Sequence, residues 1–203
     1  LRNNSFTPYL KHKRSIKKIE NKPLIKSINV MVQERKVSEL RKIVSRTHQI
    51  VLGQHLARHL GNLPPNDLYP ESFANRVLDW SQEKKNVDVK IIDHDEAIKL
   101  GMGGLDAVGR GSEKKPCMVI IDLNPKEKNN PPVLVGKGIT FDTGGISIKP
   151  SSGMEDMKYD MHGAATVFGT MFALECINHS RRVIGILCLA ENMPDGLAQR
   201  PSD

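Results

Sequence analysis

Two lysines and two aspartates stand among glycines in the stretch Val135-Gly-Lys-Gly-Ile-Thr-Phe-Asp-Thr-Gly-Gly-Ile-Ser-Ile-Lys-Pro150 and the following Met157-Lys-Tyr-Asp-Met161. Asp142 and Asp160 offer hard oxygen donors suited to divalent cations. Each residue also has an ordinary reading on its own. Asp142 before Thr-Gly-Gly is a turn former, Lys137 an ion-pair partner, Lys149 a surface charge, and Asp160 a favourable contact with a helix start. Taken together they pose a choice between a catalytic metal site and plain loop polarity. Loops at strand ends are where α/β proteins keep their chemistry, and glycines let such a loop bend sharply. Gly163, Ala164 and Ala165 then open a helix with almost no side-chain bulk. That should let the helix approach Gly138 and the Gly144-Gly145 loop closely enough for Asp142 and Asp160 to share ions.

Other stretches imitate sites less well. His55-Leu-Ala-Arg-His59 has the spacing of a zinc helix but lacks the glutamate after the first histidine. Gly104-Leu-Asp-Ala-Val-Gly-Arg-Gly-Ser112 has the outline of a phosphate loop, yet Arg110 stands where lysine is needed and Gly111 where the hydroxyl should be. Asp93-His-Asp95 follows a strand as a turn would. All three are expected to be structural.

The elements that must position the polar residues can be read from periodicity. Residues 33–61 read as a helix stopped by Gly61, with Val37, Leu40, Val44, Val51, Leu52, Leu56 and Leu60 at helical spacings. Pro70 suits the first turn of a helix over 70–84. Val87–Asp93 alternates as a strand does, and Asp95–Leu100 is a short helix ended by Gly101. Met118–Leu123 and Val133–Val135 are short apolar runs, the pattern of strands covered on both faces. A helix over 162–178 and a buried strand over Arg182–Ala190 complete an α/β order.

The chain has 203 residues and a net charge of +7. Residues 1–50 carry 13 Lys/Arg against 3 Glu, so the basic character belongs to the N-terminal segment alone. A Lys-rich stretch with Pro8 and Pro23 reads first as a solvated tail, with a nucleic-acid contact or an organellar presequence as alternatives. No apolar run reaches the roughly 18 residues that span a bilayer, so no membrane partner is expected. Cys117, Cys176 and Cys188 lack metal-type spacing. Cys176 and Cys188 sit in apolar runs and read as buried free thiols, which fits a reducing, cytoplasmic setting. The first methionine is Met31, from which a trimmed or incomplete sequence is expected.

The full Val135–Ala165 string resembles the metal-binding region of the leucyl (cytosol) aminopeptidases. Asn62-Leu-Pro-Pro-Asn-Asp67, Gly101–Ser112 and Ala190-Glu-Asn-Met-Pro-Asp-Gly-Leu-Ala-Gln-Arg-Pro201 carry the same resemblance, which runs from about residue 46 to the end. It implies a mixed sheet with helices on both faces, and removal of N-terminal residues, leucine above all, from peptides with a free N-terminus. It also implies two divalent ions, Mn2+ or Zn2+, and a homo-hexamer. On this resemblance Lys137 would be a metal ligand as a neutral amine, a form that an adjacent dication favours. Asp142 would bridge both metals, Asp160 would share a metal with Lys137, and Lys149 would be the ammonium that stabilises the developing oxyanion. Met157 would line the pocket for the first side chain, or be a core residue. Substrate would thus meet Lys137, Asp142, Lys149, Met157 and Asp160.

Two departures from the family stand out. Residues 1–45 are a basic segment in place of the family's N-terminal α/β domain, of which they could be a remnant; residues 46–203 read as the first part of the catalytic domain. The family's second motif, Asn-Thr-Asp-Ala-Glu-Gly-Arg, is absent from the sequence. That motif brings two carboxylate ligands and the arginine that holds a bicarbonate base. The expectation is therefore an incomplete site, inactive alone, in a sheet left with an unpaired edge at Arg182–Ala190. The competing readings are a non-catalytic relative retained as a binding or interaction protein, with nucleic acid at its basic N-terminus as one candidate partner, and an unrelated α/β hydrolase.

Overall fold

The computed structural model describes residues 27–33, 36–128 and 130–203. Residues 1–26, which carry most of the basic tail and the nucleic-acid and presequence readings attached to it, lie outside the described residues.

Helix α1 spans Val37–Asn62. Its first half stands clear of the protein, with Val44 60% exposed, while Leu60 is buried. Gly61 does not stop it. The helix ends one residue later, where Leu63, preceding Pro64, takes an extended backbone (φ −70°, ψ 143°). Helix α2 is Pro70–Ser81, with the rigid proline at its first turn. The Tyr69 N–H donates to Ser72 Oγ at 2.9 Å, which fixes the entry to the helix. Strand β1 (Val87–Ile92) and the short helix α3 (His94–Lys99) follow. Asp93 caps α3 by accepting from the Glu96 N–H at 2.8 Å. Helix α4 is Gly103–Gly109 and strand β2 is Cys117–Leu123. Strand β3 runs over Val133–Asp142, much further than its apolar start suggests. A 3-10 turn at Met154–Tyr159, helix α5 (His162–Cys176) and strand β4 (Val183–Asn192) complete the chain order.

The four strands form a mixed sheet in the order β1-β2-β4-β3. β1 pairs with β2 and β2 with β4 antiparallel, whereas β3 and β4 are parallel. The expected unpaired edge at Arg182–Ala190 is thus incorrect: β4 is an inner strand, and among the described residues the edges are β1 and β3.

Alternation along β3 sends Gly136 and Gly138 to one face and Val135, Lys137 and Ile139 to the other. On the first face α5 buries Ala164, Ala165, Phe168 and Met171, and α2 buries Phe73 and Val77. Trp80 meets the edge of Phe168 with ring centroids 5.3 Å apart. Each fully buried aliphatic or aromatic side chain of this kind stabilises by roughly 1.5–3 kcal/mol. Helix α1 lies behind α5 at a glycine crossing, where a Cβ on Gly53 would stand 2.2 Å from the Gly169 carbonyl oxygen. The second face carries α4, whose Leu105 and Val108 border a cavity of about 460 Å³ floored by Met118, Val135 and Cys188. β3 is not covered on both faces as its apolar start implies, since Val133 and Val135 are 50% and 66% exposed. The cysteines differ from expectation too: all three are free, but the buried one is Cys117, while Cys176 and Cys188 are only half-buried.

Candidate metal centre

Lys137 lies within β3, opposite Cys188 of β4 in the ladder. It is therefore a strand residue and not part of a loop. Gly136 and Gly138 flank it because α5 leaves no room for side chains there. A Cβ on Gly136 would come 2.6 Å from the Ala164 Cα, and a Cβ on Gly163 2.9 Å from the Lys137 N and O atoms. The small residues opening α5 do permit a close approach, but to β3 at Gly136–Gly138. The Gly144-Gly145 turn packs elsewhere, against Ser147, Lys149 and Asn192.

This contact brings Asp160, which precedes α5, up to Lys137. The Asp160 Oδ2 and the Lys137 Nζ are 3.0 Å apart as an ion pair. Oδ2 is sealed from solvent, so the ion pair is the contact that offsets its burial.

Asp142 ends β3, beyond a bulge between Ile139 and Asp142. Its Oδ1 accepts from the Gly144 N–H at 2.9 Å and from Asn192 Nδ2 at 2.7 Å. Its Oδ2 accepts from Lys149 Nζ at 2.6 Å. Burial pushes the Asp142 carboxyl up, but the hydrogen bonds from Lys149, Gly144 and Asn192 outweigh it and hold the group below its usual value. Lys149 Nζ also reaches Met157 Sδ at 3.3 Å. The turn that returns Lys149 to Asp142 needs φ of +89° at Gly144 and +68° at Gly145, which glycine supplies without strain.

The five expected site residues thus form two groups, Lys137 with Asp160, and Asp142 with Lys149 and Met157. Asn192 joins them, a residue within a matching motif to which the sequence alone assigns no role. The stretches judged structural have other occupations. Asp93 is a cap, His94 Nε2 pairs with Asp106 Oδ1 at 2.8 Å, and Gly104–Gly109 lies in α4. Among the described residues, no three His, Cys, Asp or Glu side chains converge as a ready metal cluster. The donors that fit a cation are therefore the two carboxylates and the Lys137 amine. The solvent-sealed Asp160 Oδ2, which already faces the Lys137 amine, is a donor placed to face a cation.

Residues 55–203 match the family model described as "Cytosol aminopeptidase family, catalytic domain". A "Probable cytosol aminopeptidase" of Azotobacter vinelandii is 43% identical over 182 residues, covering 89% of this chain and 37% of that protein. The chain thus spans little more than a third of the length of the curated relatives it matches. Among solved structures, the bottromycin maturation enzyme BotP in complex with Mn superposes with a TM-score of 0.75 at 40% identity, covering 80% of this chain and 35% of that one. The leucyl aminopeptidase from Trypanosoma brucei in complex with actinonin gives a TM-score of 0.73 at 30% identity, covering 78% and 31%.

Proposed function

Because the chain belongs to the cytosol aminopeptidase family, we propose that it serves a metal-dependent aminopeptidase that releases N-terminal, leucine-type residues from peptides. The observation that carries this reading is the pairing of Lys137 with the solvent-sealed Asp160 Oδ2, within the segment that matches the family's catalytic domain. Lys137, Asp142 and Asp160 would hold the ions. Two divalent ions, manganese or zinc, supply an activated water and electrostatic stabilisation when bound. The manganese in the BotP structure supports a divalent ion of this kind.

The remaining steps fall to this chain's own side chains. Lys149 is held against Asp142 at 2.6 Å, where a fixed ammonium stabilises an oxyanion forming at the scissile carbonyl. Met157, in contact with Lys149, borders the space for the first side chain of the peptide. Lys137, Asp142 and Asp160 offer three donors, whereas zinc takes about four ligands and manganese about six. Each ion therefore needs donors besides these, and a bicarbonate base would need an arginine besides them as well. In this reading residues 46–203 are the first part of a catalytic domain that works in the cytoplasm as a homo-hexamer. The relatives' name supports the compartment.

A chimera tests the proposal. Residues 55–203 replace the matching segment of the Azotobacter vinelandii relative, and leucine p-nitroanilide hydrolysis is followed with added Mn2+. Turnover that Asp142→Asn abolishes is expected. A folded, metal-loaded chimera without turnover, or one indifferent to Asp142→Asn, would overturn it.

A further inference from the structure

We propose that Asn192 is a positioning residue for the metal centre, setting the orientation of the Asp142 carboxylate from the end of β4. The proposal deepens the metal-site reading above and rests on it.

Asn192 and Asp142 end two parallel strands and are register partners beyond the β3 bulge. A bulge leaves the strand end loosely specified by the ladder alone, so other contacts must fix the side chain there. Asn192 supplies them from both its side chain and its main chain. Its Nδ2 donates to Asp142 Oδ1 at 2.7 Å. Its carbonyl oxygen accepts from the Thr143 N–H at 3.0 Å and from Thr143 Oγ1 at 2.8 Å. Thr143 Oγ1 in turn accepts from the Gly145 N–H at 3.2 Å. Gly145 leaves room for the amide, because a Cβ there would stand 2.9 Å from Asn192 Oδ1.

The consequence is a division of labour within one carboxylate. Oδ1 is committed to two protein donors, Asn192 and the Gly144 N–H. Oδ2 is left with Lys149. With Oδ1 fixed, the carboxylate plane cannot rotate freely about its terminal bond, and Oδ2 presents a defined lone-pair direction. Groups that orient a ligand in this way typically change metal affinity about 10–100-fold when removed. Asn192 touches neither substrate nor reacting atoms in this role.

The test is Mn2+ titration of the chimera described above, which supplies the further donors, reading free Mn2+ by electron paramagnetic resonance, with thermal unfolding of the metal-free protein alongside. Asn192→Leu keeps roughly the side chain's size but removes the donor without adding charge; Asn192→Ala removes the bulk as well. We expect both to lower Mn2+ affinity about tenfold or more in protein that still folds. Asp142→Asn is the control. Affinity lost in Asp142→Asn but unchanged in a folded Asn192→Leu would overturn the positioning role alone. Affinity unchanged in Asp142→Asn, or no Mn2+ binding by the folded parent chimera, would overturn the metal-site reading and the positioning role with it. If Asn192→Leu fails to fold, Asn192→Ala decides by the same comparison. Should neither fold, Asn192 is a structural residue and the proposal fails.

Discussion

Gly163→Ala places one methyl group where the metal centre is assembled. The new Cβ would lie 2.9 Å from both the N and the O of Lys137. Neither atom is the tip of a flexible side chain, so the backbones of α5 and β3 must separate. Ordinary contact begins near 3.4 Å, so relief requires a shift of about 0.5 Å. Overpacking of this kind costs roughly 1–3 kcal/mol, and replacing glycine by alanine in a helix returns about 1 kcal/mol. The net loss of stability is thus only about 0–2 kcal/mol, and the variant should fold. The metal centre is less tolerant, because ligand distances hold within about 0.2 Å and Asp160 and Lys137 sit on the two bodies being pushed apart. Mn2+ affinity should therefore fall about tenfold or more while the unfolding midpoint moves only a few degrees, and Gly163→Leu should be worse on both counts. The assay is Mn2+ titration beside thermal unfolding. A variant that loses stability yet binds Mn2+ like the parent would refute the reasoning, since the close approach would then serve packing alone.

Further outcomes follow from the charge and burial of single groups. The Asp142 carboxyl is held below its ordinary value, so its ionised form stabilises the metal-free fold above about pH 4, and that contribution is lost as the pH falls through the lowered value. The stability gap between parent and Asp142→Asn, measured by denaturant unfolding, should be constant from pH 5 to 7 and shrink below about pH 4; a gap that widens in acid would contradict this. Burial foremost, then Glu71 and Asp93, push the Cys117 thiol up to about 12. At pH 8 Cys117 should react with iodoacetamide at least about 100-fold more slowly in the folded protein than in urea, as read by mass spectrometry, and labelling at equal rates would refute its burial.

The order of strands and helices was legible because each carries its own period: alternation in Val87–Ile92, helical spacing in the second half of α1, and a proline to start α2. What was not legible lay where one residue type carries two meanings. Gly136 and Gly138 look like loop glycines, yet they continue β3, and their missing side chains make room for Ala164. Gly61 looks like a helix stop, but it lies inside the last turn of α1, where a Cβ would strike the His162 ring. α4 was hidden within a glycine-rich string with the outline of a phosphate loop. The pairing of β4 between β2 and β3 is a long-range choice that local pattern does not encode. Within the site, the types and spacing of Lys137, Asp142, Lys149 and Asp160 could be singled out, whereas Asn192 could not be given a role. Its partner Asp142 is fifty positions away, and only the bulge and the parallel ladder bring the two strand ends together.

Anomalous diffraction at the manganese edge from Mn2+-soaked crystals of the chain tests the central claim most directly. A peak bonded to Asp160 Oδ2 and Lys137 Nζ, with Asp142 within ligand distance of it or of a second peak, is the predicted result. A map with no peak at these side chains, or with manganese bound only elsewhere on the surface, would contradict the assignment of Lys137, Asp142 and Asp160 as the metal-holding residues.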